Sequence, residues 1–172
     1  MSPTDHTATL RTDLRAMRDR LGAGDGDFDF AWAVPDVLAV TTRPLRCHPD
    51  FPSGPLPPEA RPAVEAWVDG IEADGFRTII CLNTAPELDD LYGRVGLHTD
   101  GLIGYYESRG LVVCHVPWDD PAHIPGPSAN ADRIFREVEA MWPSLEQPVL
   151  MHCSMACDRS PAVAERLAPK IA

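Results

Sequence analysis

Three short apolar runs constrain the fold of this chain more than anything else in it: Thr78-Ile-Ile-Cys-Leu82, Leu111-Val-Val-Cys-His-Val116 and Pro148-Val-Leu-Met-His152. Each is too short for a helix and too continuously apolar for a half-exposed strand, which is the pattern of strands buried on both faces. Helix-length segments lie between them. Pro86 to Tyr92 and Thr99 to Ser108 separate the first two runs, and Asn130 to Trp142 separates the second from the third, with Ile134, Val138 and Met141 at spacings of four and three. Strand and helix alternating in this way predict an α/β fold with a parallel sheet and helices on both of its faces. In such a sheet the chemistry sits at the carboxyl ends of the strands.

Upstream, Phe28 to Ala33 and Val37 to Thr42 flank Val34-Pro35-Asp36 and read as a hairpin whose proline is confined to the turn. The hairpin brings the sheet to about five strands, mostly parallel. Arg43 to Pro58 carries six prolines and reads as an extended loop; Arg61 to Ile71 reads as a helix with Pro62 in its first turn and Val64, Trp67 and Ile71 facing inward. Ahead of the hairpin, Leu10, Leu14, Met17 and Leu21 form a narrow helical stripe between Thr7 and Leu21, the mark of a docking helix. Gly22 to Asp27 follows as a flexible joint. The expected organisation is a helix and joint over 1–27 and one folded domain over 28–172, in keeping with a length of 172 residues.

Twenty-six acidic against 15 basic residues give a net charge of −11, which repels nucleic acid and leaves no basic stripe to follow its backbone. A small anion is a different matter, because a local cluster of backbone N–H groups with one Arg binds phosphate whatever the global charge. No apolar run approaches the roughly 18–20 residues of a membrane span, and the N-terminus lacks the pattern of a secretion signal. The five cysteines are odd in number and contain no C-x2-C pair. They read as free thiols in a cytoplasmic protein, with no metal site and no cofactor implied.

The carboxyl end of the third run reads His152-Cys153-Ser154-Met155-Ala156-Cys157-Asp158-Arg159-Ser160-Pro161 and leads into a helical segment. A strand, a tight loop and a helix aim successive N–H groups and a positive dipole end at one point, a ready anion site. Arg159 supplies a planar fork for two phosphate oxygens, and the same donors favour the thiolate of Cys153 near neutral pH. A nucleophile facing a bound phosphorus is the expected result. Ser160 also reads as the N-cap of the helix, with Pro161 at its first position.

This His-Cys-x5-Arg-Ser arrangement resembles the cysteine-dependent protein tyrosine phosphatase superfamily, and in particular its compact dual-specificity-like branch. A second stretch, Val116-Pro117-Trp118-Asp119-Asp120-Pro121, resembles the loop on which that family keeps its general acid, and its Trp-x-Asp and Pro-x-x-Asp spacings both select Asp120, with Asp119 as the alternative. The resemblance extends more loosely from about Phe28 to Glu165 and implies a phosphatase fold and a metal-independent phosphomonoester hydrolase. By the same resemblance Cys153 attacks phosphorus, Arg159 holds the equatorial oxygens, Asp120 protonates the leaving group and Ser160 helps expel the thiolate. His152 is then a support for the thiolate, and Ser154, Met155, Ala156, Cys157 and Asp158 bind substrate mainly through backbone N–H groups. The substrate is a phosphorylated protein or a small phosphoester. Trp118, Tyr105 and Tyr106 are either pocket walls or core.

Two features depart from that family. Gly usually stands at the third residue after the nucleophile, where this chain has Ala156, and a positive φ there strains any residue with a Cβ. The chain runs 12 residues beyond Ser160, where relatives usually continue through further helices. The apolar face left by that shortening would need the N-terminal helix, a partner or a second copy to cover it. Two other classes therefore stand beside the enzyme: a phosphate-binding pseudophosphatase of the same fold, and a rhodanese-like sulfurtransferase. Cys157 or Cys81 is placed to form a reversible disulfide with an oxidised Cys153, as some members of the family do; otherwise both are small apolar fillers.

Overall fold

The computed structural model describes residues 3–51, 53–119 and 130–172. Six helices and five strands run in the order α1 (Pro3–Ala23), β1 (Ala31–Val34), β2 (Leu38–Thr41), α2 (Arg61–Ala73), β3 (Thr78–Cys81), α3 (Ala85–Tyr92), α4 (Gly101–Ser108), β4 (Val112–His115), α5 (Ala131–Met141), β5 (Val149–His152) and α6 (Arg159–Ile171). The strands form one α/β sheet in the order β1-β2-β5-β3-β4. The sheet is mixed: β1 and β2 run antiparallel, and the β2–β5, β5–β3 and β3–β4 pairs are parallel. The hairpin turn closes with Val37 N–H donating to the Val34 carbonyl at 3.1 Å. Asp36 takes φ 60° there, a conformation that Asp tolerates better than most residues.

Alternation along the strands divides the interior into two cores. Leu38 and Val40 of β2, Ile80 of β3 and Val149 and Met151 of β5 face α1, α5 and α6. Ala39, Ile79, Cys81 and Leu150 face α2, α3 and α4 on the other side. The stripe Leu10, Leu14, Met17 and Leu21 of α1 is buried in the first core with Val163, Ala164 and Leu167 of α6. Helix α1 thus packs beside α6 on this side of the sheet. The large apolar side chains exposed among the described residues are Val112 and Met155.

Two expectations need correcting. Strand β4 is not buried on both faces: it is the edge strand beside β3, and Val112 is 53 % exposed. Its apolar run satisfies one face and one edge only. Helix α6 begins at Arg159 with Asp158 in the N-cap position, earlier than a Ser160 cap would allow. Pro161 therefore stands third in the helix, where an amide has no intrahelical acceptor and the missing N–H costs nothing. No helix among the described residues is long and apolar enough to cross a membrane.

Candidate active site

Strand β5 is central, and its carboxyl end is held on both sides: Thr41 pairs with His152 across β2, and Leu82 N–H donates to the His152 carbonyl at 3.0 Å beyond the end of β3. Cys153 emerges from this fixed point and is 2 % exposed. Its Sγ lies 3.1 Å from the Ser160 Oγ. The hydroxyl expected to cap the helix is thus turned toward the thiol, and the residues at the two ends of the loop meet.

Between them the carbonyls of residues 154 to 157 are met from other elements, and that of Asp158 starts the bonding of α6. The Ser154 carbonyl accepts from Arg43 N–H at 3.0 Å, and the Asp158 carbonyl from Ala162 N–H at 3.1 Å. The Ala156 carbonyl accepts from Arg18 Nη1 at 3.0 Å and the Cys157 carbonyl from Arg11 Nη1 at 3.1 Å. The Met155 carbonyl takes longer contacts from Arg18 Nη1 at 3.5 Å and Cys157 Sγ at 3.7 Å. Across a planar trans peptide the C=O and the next N–H point in opposite directions. The carbonyls of residues 154 to 157, held from α1 and Arg43, therefore direct the N–H groups of residues 155 to 158 toward the other, concave side of the loop. N–H groups so directed at the N-terminus of a 13-residue helix are what a backbone anion site would require.

Ala156 sits at the bend with φ 53°, the left-handed conformation that Gly would adopt without strain, and its methyl is buried in the first core. Arg159 is 2 % exposed and is held by Glu87, with Nη2 donating to Oε1 at 2.8 Å and Nη1 to Oε2 at 2.9 Å. Its Nη1 also donates to the Trp118 carbonyl at 2.7 Å. Burial pushes the Glu87 carboxyl up, but the hydrogen bonds from Arg159 and from the Thr84 backbone outweigh it and hold the group below its usual range. Glu87 stays charged, so the buried guanidinium keeps a counter-ion. The sequence reading missed this partner. Its signal was present in the capping box Thr84-x-x-Glu87, in which Thr84 N–H donates to Glu87 at 2.7 Å and fixes that carboxylate at the carboxyl end of β3.

His152 is fully buried against Trp67 and Tyr106, with Nε2 3.3 Å from the Tyr106 hydroxyl. Burial, helped by the charges of Arg159 and Arg43, lowers its pKa to about 4, so the ring is neutral at pH 7. Burial also raises Tyr106 well above the ordinary tyrosine value. The pair is uncharged at pH 7, and His152 directly precedes Cys153 in the chain. Arg43 is likewise buried, with Nη1 at 3.4 Å from both the Pro44 carbonyl and the Tyr92 hydroxyl.

Tyr105, Tyr106 and Trp118 belong to the cores rather than to an open pocket wall. The Trp118 ring packs edge-on to Phe135 at 6.1 Å, and its backbone N–H donates to the Leu82 carbonyl at 3.0 Å. Asp120 lies outside the described residues. Asp119 is exposed, one residue beyond a carbonyl that binds Arg159. Cys81 is fully buried, which pushes its thiol up to about 12, and all five cysteines are free thiols. Among the described residues no three His, Cys, Asp or Glu side chains lie together as a metal site would need. Compared with known proteins, the chain matches no family model and no curated protein sequence.

Proposed function

We propose that the protein is a cysteine-dependent phosphomonoester hydrolase. One observation carries the reading: the carbonyls of residues 154 to 157 are held from α1 and Arg43, which directs the following N–H groups the other way, and the Cys153 and Ser160 side chains meet at the two ends of that loop. Oxyanion donors fixed before the substrate arrives are the main way an enzyme stabilises a phosphoryl group in transfer.

In the proposed reaction the Cys153 thiolate attacks phosphorus as the ester P–O bond breaks. Asp120 gives its proton to the departing oxygen, and the loop N–H groups with Arg159 carry the charge on the equatorial oxygens. Water then attacks the phosphocysteine and passes a proton to Asp120. The S–P bond breaks and the sulfur leaves as thiolate, accepting a hydrogen bond from the Ser160 hydroxyl 3.1 Å away. The Arg159–Trp118 contact ties the chain to the site just ahead of Asp119 and Asp120, the two candidates for the general-acid role. His152, neutral by burial, supports the thiolate and transfers no proton. The substrate class is a phosphorylated protein or small phosphoester, and the compartment the cytoplasm.

Para-nitrophenyl phosphate hydrolysis with reductant and a metal chelator, followed from mildly acidic to mildly basic pH, tests this. Turnover that resists the chelator, disappears in Cys153→Ser and loses its acid-linked limb in Asp120→Asn supports the reading. A second reading is favoured by φ 53° at Ala156, which loads the loop with strain: a phosphate-binding protein without turnover. Phosphate binding by a folded wild type that hydrolyses nothing would select it. Thiosulfate cleavage unaffected by Asp120→Asn would instead indicate sulfur transfer.

A further inference from the structure

We propose that helix α1 is a positioning element of the candidate site, and that Arg18 is the residue that holds the loop in its anion-binding shape in place of the missing glycine. This rests on the phosphate-binding reading above. Arg18 Nη1 donates to the carbonyl of Ala156 at 3.0 Å and reaches that of Met155 at 3.5 Å, so it grips both peptides that meet at the strained residue. One peptide further on, Arg11 Nη1 donates to the Cys157 carbonyl at 3.1 Å. Arg11 is itself fixed by a paired contact with Glu165 of α6, Nε to Oε1 at 2.6 Å and Nη2 to Oε2 at 2.9 Å.

The two arginines stand seven residues apart, close to two helical turns, and so project from one side of α1. Leu14 and Met17, buried in the first core, fix that side relative to the loop. A residue with a Cβ held at φ 53° relaxes toward negative φ unless its surroundings prevent it. Relaxation would rotate the 155–156 and 156–157 peptides and carry the N–H groups of Ala156 and Cys157 away from the concave side. The Met155 and Ala156 carbonyls bound by Arg18 belong to those two peptides. Charged donors make stronger hydrogen bonds than neutral ones, which suits Arg to this place. Arg18 acts through the loop and not on the substrate.

The test compares inorganic phosphate affinity by calorimetry in the full chain carrying wild-type sequence, Arg18→Met, Ala156→Gly or both changes, with amide hydrogen exchange of residues 154 to 159 without ligand. Arg18→Met is expected to weaken phosphate binding about tenfold and to speed exchange in the loop, with the melting temperature shifted only slightly. In the Ala156→Gly background the same change is expected to cost about threefold or less, because glycine holds the turn without help. Arg11→Met, one peptide away from the strained residue, is expected to weaken binding equally in both backgrounds. Unchanged affinity and exchange in Arg18→Met would overturn the clamp while leaving the phosphate site standing. An equal loss with alanine or glycine at 156 would overturn the link to the strained residue. Wild type that binds no phosphate would overturn the reading of the site and the clamp with it.

Discussion

At Ala156 three small terms compete. Holding an alanine in the left-handed region costs roughly 1–2 kcal/mol, glycine would give back about 0.5–1 kcal/mol in unfolded-chain entropy, and the buried methyl is worth about 0.8 kcal/mol. Ala156→Gly is therefore expected to change global stability by less than about 1 kcal/mol in urea denaturation, and a change above about 2 kcal/mol would contradict this balance. His152 makes a larger, pH-dependent contribution. Its pKa in the folded protein, about 4, lies below the ordinary 6.5, so the unfolded chain takes up the proton first as pH falls. Stability from the buried neutral ring is complete above pH 6.5 and is lost toward pH 4. The loss is on the order of 3 kcal/mol. Denaturation curves across that window should show it in wild type and a shallower slope in His152→Gln; equal slopes would rule the ring out as its source.

Between elements, the ion pair of Glu87 on α3 with Arg159 on α6 joins the two cores through the site. Glu87→Gln keeps the side chain needed for the capping box but leaves Arg159 buried without a counter-ion, at an expected cost of about 2–4 kcal/mol. Added phosphate should then raise the melting temperature of the variant more than that of wild type, since an anion supplies the missing charge. Helix α1 is expected to matter as much to folding as to the site: Leu14→Ala should lose about 2–4 kcal/mol, and a loss below about 1 kcal/mol would mean that α1 packs only weakly. The stripe on α1, the inward face of α2 and the apolar runs of β3 and β5 were legible in the sequence, because period and length report burial directly. The exposed edge of β4 was not, since strand order depends on which neighbours pair and not on the run itself. The start of α6 was misread for a related reason. Ser160 has the composition of a cap, but its hydroxyl is drawn to Cys153, a contact set by the return of the loop rather than by local propensity. The capping box marks Glu87, but its pairing with Arg159 and that of Tyr106 with His152 are set by distant parts of the chain meeting.

On the scale of the whole molecule, the sheet order places β5 between β2 and β3, so the segments leaving these strands come together at their carboxyl ends. Arg43 after β2, Glu87 after β3, Trp118 after β4 and Cys153 after β5 meet there. Arg11 and Arg18 reach the outer side of the same loop from α1, in a chain whose net charge is −11. Covalent phosphorylation of Cys153 is the step on which the proposed reaction turns. Rapid acid quenching during turnover of a phosphomonoester, with peptide mass spectrometry of the quenched protein, detects it. One phosphoryl group on the peptide containing Cys153 is expected, and none in Cys153→Ser; turnover with no adduct, or with the adduct on another residue, would contradict the mechanism.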